Sequence, residues 1–421
     1  MWQHCTFANI VSFMKQFNVP IIYRSPLIAA IKNKRRELDK MKKDFTPTLL
    51  DFGPLQIYLA RHLGFCYGVE NAIEIAFQTI EENPGKRIFL LSEMIHNPQV
   101  NADLMDRGVQ FLQDTSGNQA IPFDSLTKED VVIIPAFGTT LKIEEELESI
   151  GIPTKKYNTT CPFVEKVWNR SEQIARNEYT VVIHGKPDHE ETRATFSHAA
   201  AGGATIIVKN MEETILLGRV ITGEEDSVSF LKTFDGRLSP GFDPGKDLKK
   251  IGVVNQTTML ASDTQAIADH LKEVMVNQYE LLDSTLSTRF ADTRDTLCYA
   301  TNDNQSAVYG LLKTKADLAI VVGGYNSSNT SHLVELCEQK IATYFINSED
   351  KILSGTEILH YNFHNRSEIV TNDFLPEARP LRILMTSGAS CPDALVEGVI
   401  NKLVSYFPIK ITPEEILRRF A

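Results

Sequence analysis

Short apolar runs alternate with helix-like patterns along most of this chain, and this alternation constrains the fold more than any other feature. A strand, a helix and a second strand in that order favour a parallel sheet that helices cover on both faces. The predicted strands are residues 56–60, 87–91, 131–135, 180–184, 204–208, 251–255, 318–322, 342–346 and 382–386. The predicted helices between and after them are residues 69–82, 100–107, 143–150, 163–176, 262–276, 304–313, 330–339 and 392–404. The sequence therefore predicts the α/β class with small parallel sheets.

The length of 421 residues suggests about three domains. We place an N-terminal extension at 1–50 and α/β domains at 51–157, 158–290 and 291–421, which carry Cys66, Cys161 and Cys298 respectively. Residues 222–250 are rich in Gly, Pro and Asp, which is typical of a surface insertion loop. Residues 27–44 form a basic amphipathic pattern, which indicates either a solvated helix face or a docking surface for an acidic partner.

Composition excludes several classes of protein. The net charge of −11 makes nucleic acid an unsuitable partner. No apolar run reaches the roughly 20 residues that a membrane-spanning helix needs, so we expect no membrane partner. Six cysteines are too sparse for a disulfide framework, so metal binding or catalysis is the better default for the thiols. We expect a cytoplasmic, reducing compartment.

Three cysteines, Cys66, Cys161 and Cys298, each lie just before a helical pattern and come from different thirds of the chain. A thiol at a helix start faces free N–H groups and the positive end of the helix dipole, so we expect a lowered pKa and a thiolate. Their spacing matches no zinc-finger or ferredoxin pattern, so scattered buried cysteines remain an alternative to one shared centre. Of the others, Cys5 lies in the extension and Cys337 within a helical pattern.

Polar turns follow several of the predicted strands. The carboxyl ends of parallel strands are where such sheets bind ligands, and helix starts with hydroxyl and amide groups bind phosphate. Helix capping is the structural alternative for these side chains. The candidates for binding an anion, most simply a diphosphate, are Ser327, Ser328, Asn329 and Ser390, with hydrogen bonds from His96 and His189.

Two further side chains could handle protons and a hydroxyl group. Glu191 lies two residues after His189, and it could donate a proton if burial raises its pKa. Thr257 follows a strand and could present its hydroxyl to a ligand. A solvated glutamate and a helix-capping threonine are the structural alternatives.

Eight motifs in order carry a resemblance to a known family over roughly residues 51–407. They are Gly64-Phe65-Cys66-Tyr67-Gly68-Val69, His96-Asn97-Pro98-Gln99-Val100, Thr160-Cys161-Pro162, His189-Glu190-Glu191-Thr192, Gln256-Thr257-Thr258, Cys298-Tyr299-Ala300-Thr301, Asn326-Ser327-Ser328-Asn329 and Gly388-Ala389-Ser390-Cys391-Pro392-Asp393. Together they resemble the 4-hydroxy-3-methylbut-2-enyl diphosphate reductases, iron–sulfur enzymes of the last step of non-mevalonate isoprenoid synthesis. The extension and the insertion loop are similar to the longer, plastid-type branch.

The resemblance implies three α/β domains in a trefoil-like arrangement around a central cluster, in a monomer or homodimer. It implies that Cys66, Cys161 and Cys298 hold a [4Fe–4S] cluster with one open iron, which binds the substrate hydroxyl and receives single electrons from a ferredoxin or flavodoxin. Glu191 would protonate the leaving hydroxyl with help from Thr257. The diphosphate would be bound by His96, His189, Ser327, Ser328, Asn329 and Ser390. The products would be isopentenyl and dimethylallyl diphosphates.

The sequence departs from the family pattern at three places. Phe137 stands where many members have a histidine that contacts diphosphate, and we expect Thr139, Thr140 or a nearby lysine to compensate. Glu190 replaces a commoner proline, and Cys391 stands where a small apolar residue is frequent. Two alternatives stay open: an iron–sulfur hydro-lyase, which would work without a reductant, and a non-catalytic iron–sulfur sensor, which should lack a diphosphate pocket.

Overall fold

The structure is a computed structural model, and it describes residues 17–291, 296–409 and 411–420. Cys5 lies outside the described residues. The strands are β1 Thr48–Asp51, β2 Leu55–Leu59, β3 Ile88–Leu90, β4 Gln110–Phe111, β5 Val131–Ile133, β6 Thr180–His184, β7 Thr205–Val208, β8 Ile251–Asn255, β9 Leu318–Val322, β10 Thr343–Ile346, β11 Glu357–Asn362, β12 Ser367–Asn372 and β13 Leu381–Ser387. The α-helices are α1 Pro26–Leu38, α2 Tyr67–Glu82, α3 Pro98–Asp106, α4 Leu141–Ile150, α5 Pro162–Arg176, α6 Glu190–Gly202, α7 Met211–Thr222, α8 Ser227–Thr233, α9 Pro244–Asp247, α10 Ala261–Tyr279, α11 Tyr299–Leu311, α12 Ser328–Glu338, α13 Asp393–Val404 and α14 Pro413–Phe420.

The strands form three sheets that are mostly parallel, together with one hairpin. The largest sheet has the order β1-β2-β13-β9-β10, and only its β1–β2 pair is antiparallel. The other two sheets, β4-β3-β5 and β7-β6-β8, are entirely parallel. Strands β11 and β12 form the antiparallel hairpin. The prediction of an α/β protein with small parallel sheets is confirmed, whereas the domain boundaries stay a prediction.

Burial explains why the strand predictions succeed. Every residue of β6, β8 and β9 is buried, as expected for parallel strands that are covered on both faces. All nine predicted strands are present, and their ends lie within two residues of the prediction. The pattern missed four strands. These are β1 and β4, which have four and two residues, and the hairpin strands β11 and β12, of which β12 is mostly exposed and carries no apolar alternation.

Residues 222–250 are not the plain surface loop that the composition suggested. They contain helices α8 and α9, and the side chains of Phe230 and Phe234 are fully buried beside α7 and β8. Two of the Asp residues that suggested a loop instead cap these short helices. Asp226 accepts hydrogen bonds from the first turn of α8, and Asp243 does so for α9.

The N-terminal segment from residue 17 is part of two hydrophobic cores, so it is not a mere appendage. Tyr23 packs with α2 and β3, whereas Leu27, Ile28 and Ile31 on α1 pack against the large sheet. Helix α1 ends at Leu38, earlier than predicted. Of its four basic residues only Arg36 is exposed, and Lys32 pairs with Asp393 on α13 at 2.7 Å.

At their carboxyl ends, five strands lead directly into the polar turns that the sequence singled out: β3, β6, β8, β9 and β13. Because these strands belong to all three sheets, the carboxyl ends of the sheets supply one common site. None of the helices in the described part of the chain is long and apolar enough to cross a membrane.

We predict that Ile28→Ala destabilises the protein by about 2–5 kcal/mol, because it leaves a cavity where a fully buried side chain joins α1 to the large sheet. Urea unfolding measures the change. The matched control is Ile21→Ala, since Ile21 is 84% exposed and its loss should change stability by less than about 0.5 kcal/mol. Equal stability of the two variants would contradict the burial of α1.

Candidate active site

One pocket lies where the carboxyl ends of the three sheets meet, and it encloses about 80 Å³. That volume exceeds the space of a single water molecule several-fold, so the pocket is not a packing defect. Every site residue that the sequence predicted lines it: Cys66, His96, Cys161, His189, Glu191, Thr257, Cys298, Ser327, Ser328, Asn329 and Ser390. The structure thus brings together residues that are more than 300 positions apart in the sequence.

The three cysteines occupy equivalent local positions. Cys66, Cys161 and Cys298 are the residues that immediately precede α2, α5 and α11, all in extended backbone conformation. Gly68, in the first turn of α2, lies against Cys161, and a Cβ added there would come within 2.4 Å of the Cys161 Sγ. The start of α2 and the Cys161 thiol are therefore held in direct contact, and only glycine leaves room for it.

The expectation of lowered thiol pKa values is wrong for this pocket. Burial raises the pKa of Cys66 to about 12, and it also raises the pKa values of Cys161 and Cys298. Hydrogen bonds from the N–H groups of the following helix turn act in the opposite direction but are outweighed. Such thiols become thiolates only when a cationic group binds them, since metal binding displaces the proton.

Within the described ranges, no group of three His, Cys, Asp or Glu side chains is arranged to hold one metal ion. Cys337 and Cys391, the two other cysteines that the structure describes, are fully buried in the core of the large sheet.

Glu191 is a buried carboxyl group at the pocket wall. Its Oε1 accepts the backbone N–H of Thr257 at 2.5 Å, and its Oε2 accepts the Thr257 hydroxyl at 2.9 Å. Burial raises the pKa of Glu191 to about 7, although both hydrogen bonds from Thr257 lower it. The carboxyl group can therefore hold or release a proton near neutral pH, which is the property of a general acid.

His189 presents a buried hydrogen-bond donor to the pocket. It caps α6, where its Nδ1 accepts the backbone N–H of Glu191 at 3.2 Å, so its Nε2 carries the hydrogen. Burial holds the pKa of His189 well below its usual value, so the ring is neutral. Its Nε2 has no hydrogen-bond partner among the described residues. Because a buried unpaired donor is costly, a ligand acceptor at this position is the natural partner.

The start of α12 adds further donors. The Ser328 hydroxyl and the Asn329 Nδ2 are also buried without a partner in the part of the chain that the structure describes. The orientation of Asn329 is fixed because its Oδ1 accepts the N–H of Ala389 at 3.0 Å. Ser327 caps α12 and also lines the pocket, so the capping and the binding interpretations both apply to it. Unpaired donors at a helix start form a site for an anion.

Phe137 and Glu190 are two residues around His96 whose contacts the sequence did not reveal. Phe137 lines the pocket and stacks on the His96 ring at 4.3 Å between centroids. The expected compensation is not found, because the described residues that line the pocket include neither Thr139, Thr140 nor a lysine. Thr140 instead caps α4. In the sequence, Phe137 and Glu190 stood out only as departures from the family pattern.

The fold and the pocket are those of an α/β enzyme whose site combines three thiols, a buried carboxyl group and donors for an anion. The sequence profile of the LytB protein family matches residues 57–404. The chain belongs to this family, so the resemblance seen in the sequence is confirmed. The family is one of iron–sulfur enzymes.

Two curated relatives and one solved structure illustrate the similarity. The 4-hydroxy-3-methylbut-2-enyl diphosphate reductase of Synechococcus sp. (strain RCC307) is 41% identical over 91% of this chain and 88% of its own length. The enzyme of the same name from Picosynechococcus sp. (strain ATCC 27264 / PCC 7002 / PR-6) is 38% identical over 90% and 89%. The structure of the E-1-hydroxy-2-methyl-but-2-enyl-4-diphosphate reductase from Plasmodium falciparum aligns with a TM-score of 0.58 at 21% identity, over 86% of this chain and 97% of that one, which shows a shared fold.

We predict that Gly68→Ala lowers the iron content of anaerobically purified protein, because the added methyl group would displace the Cys161 thiol. Iron per chain is the measurement. The control is Gly355→Ala, where an added Cβ would meet its nearest neighbour at an ordinary 3.4 Å. Full iron content in Gly68→Ala would show that this contact does not set the position of Cys161.

Proposed function

We propose that this protein removes the hydroxyl group of (E)-4-hydroxy-3-methylbut-2-enyl diphosphate reductively and forms isopentenyl and dimethylallyl diphosphates, the last step of the non-mevalonate pathway. The observation that carries the proposal is the composition of the pocket. A single cavity joins three thiols, a carboxyl group with a pKa of about 7 and unpaired donors suited to a diphosphate. Relatives that bear the reductase name over about 90% of the chain support it.

We assign Cys66, Cys161 and Cys298 as ligands of one [4Fe–4S] cluster with one iron free of protein ligands. The residues present fit this group, because the three thiols share one pocket and need a cation to ionise. When bound, such a cluster supplies a Lewis-acidic iron and a store for single electrons. A ferredoxin or flavodoxin is the proposed electron donor, and a monomer or homodimer the proposed assembly.

At one end of the pocket, the protein binds the diphosphate. His189 Nε2, the Ser328 hydroxyl and Asn329 Nδ2 donate hydrogen bonds to its oxygens, and the N-terminus of α12 adds its dipole. His96, Ser327 and Ser390 also line the pocket and are the remaining proposed diphosphate-binding residues. These contacts orient the substrate so that its hydroxyl group lies at the other end, beside the cysteines.

Beside the cysteines, Glu191 and Thr257 hold and donate the proton. A protonated Glu191 donates to the departing hydroxyl, directly or through the Thr257 hydroxyl to which it is hydrogen-bonded. The overall reaction takes up two electrons and two protons and releases water. Apolar side chains, among them Val69, Ile95 and Val164, line the same cavity and limit access of bulk water.

The hydro-lyase and the sensor alternatives make different predictions from the reductase. A hydro-lyase would convert its substrate with no electron donor, and a sensor would not bind a diphosphate. The anaerobic assay of the holoprotein with substrate, with and without a one-electron reductant, separates the three. Formation of both five-carbon diphosphates only with reductant supports the proposal, and conversion without it would overturn it.

We expect each of the substitutions Cys66→Ser, Cys161→Ser and Cys298→Ser to reduce iron and acid-labile sulfide strongly, because each removes one of three cluster ligands. The matched control is Cys337→Ser, since Cys337 is a fully buried cysteine of the large-sheet core. It should destabilise the fold somewhat but keep the iron content. Retention of a full cluster in any of the three ligand variants would contradict the assignment.

We expect Glu191→Gln to lower kcat about 10²–10⁴-fold, because glutamine has the shape of the acid but no proton to donate. Iron content and KM should stay close to those of the unmodified protein. Glu165→Gln, at an exposed position on α5, is the control and should leave kcat unchanged. A Glu191→Gln variant that turns over normally would show that another group donates the proton.

A further inference from the structure

We propose that Glu190 and Phe137 are positioning residues that together fix the orientation of the His96 ring towards the substrate diphosphate. This inference rests on the proposed function, and it assigns the two adjacent carboxylates of α6 to opposite tasks. Glu191 handles the proton at the hydroxyl end, whereas Glu190 supports anion binding at the diphosphate end.

Glu190 is a buried glutamate, and its burial has to be compensated by polar partners. It is only 6% exposed, and buried carboxylates are kept only where they have partners. Its Oε1 accepts a short hydrogen bond from the Ser92 hydroxyl, and its Oε2 lies 3.4 Å from His96 Nε2. The first turn of α6 further favours a negative charge at this position. Glu190 therefore links the β3 turn, through Ser92 and His96, to α6.

Phe137 restrains the same imidazole from its face. Its ring stacks on His96 at 4.3 Å and 29°, and it meets the His189 ring edge-on at 5.5 Å. The two histidine rings also contact each other edge-on at 5.1 Å. The three rings thus form one packed group, in which a phenyl ring fixes orientation without competing for hydrogen bonds.

The backbone of His96 is held as firmly as its ring. Its carbonyl oxygen accepts the Ser390 hydroxyl at 3.3 Å, and Gly324 packs so closely that an added Cβ would lie 2.2 Å from that oxygen. The contact of Glu190 with Nε2 leaves the other ring nitrogen of His96 for a ligand. An unpaired carboxylate this near an anion site would repel the diphosphate. The contact of Glu190 with His96 therefore decides whether Glu190 strengthens or weakens diphosphate binding.

The test compares Glu190→Gln with Glu191→Gln in anaerobic holoprotein. Glu190→Gln should raise KM for the substrate, and Kd for inorganic pyrophosphate by calorimetry, about tenfold or more, with kcat changed by less than about threefold. Glu191→Gln should show the opposite split. Ser92→Ala, which removes the donor to Glu190, should raise both constants in the same direction by less. Phe137→Leu, which keeps an apolar side chain but loses the ring, should do likewise.

Unchanged or lower KM and Kd in Glu190→Gln would overturn the inference, because Glu190 would then be neutral or repulsive towards the anion. A loss of kcat at constant KM would also overturn it, since Glu190 would then act on the chemical step. Circular dichroism and iron content identify a variant that has not folded, and Ser92→Ala then carries the test. The pyrophosphate Kd does not require turnover, so failure of the unmodified protein to form product would reject the proposed function alone.

Discussion

Burial of three thiols at one point is the constraint on which the rest of the structure depends. Each thiol begins a helix, yet burial outweighs the helix N–H groups and keeps its proton in place. As thiolates the three would also repel one another. A shared cationic group would relieve both costs, and this is the physical basis of the proposal that the three cysteines bind one cluster. The absence of a side chain at Gly68 shows how closely the elements must approach to bring this about.

The start of α6 carries three consecutive polar residues in or beside the pocket. His189, Glu190 and Glu191 are consecutive residues, yet the helix turns them towards different partners: one donor faces the pocket, one carboxylate reaches His96 and one is bound by Thr257. His189 accepts the backbone N–H of Glu191, so the proposed anion donor and the proposed proton donor are joined directly. If the proposed roles hold, this one turn fixes the separation of the groups that bind the two ends of the substrate.

Residue patterns predicted the strands and the pocket residues because both follow simple rules: parallel strands are uniformly apolar, and ligands bind at their carboxyl ends. Helix α6 was missed because histidine is an unusual cap, and the extension's role was missed because Tyr23 and Ile28 join cores formed by distant segments. The thiol pKa values were predicted with the wrong sign, since a local helix dipole is visible in sequence and the depth of burial is not. The contacts of Phe137 and Glu190 with His96 likewise could not be predicted from the sequence, because they join residues from different elements of the fold.

The most direct test of the account is the position of iron in crystals of anaerobically purified protein. Diffraction data collected at the iron absorption edge locate iron atoms independently of the protein phases. The account predicts one compact iron site per chain, bonded to the sulfur atoms of Cys66, Cys161 and Cys298, with His189, Ser328 and Asn329 on its open side. Iron bound elsewhere, a fourth protein ligand that closes the site, or three cysteines that share no iron would contradict it.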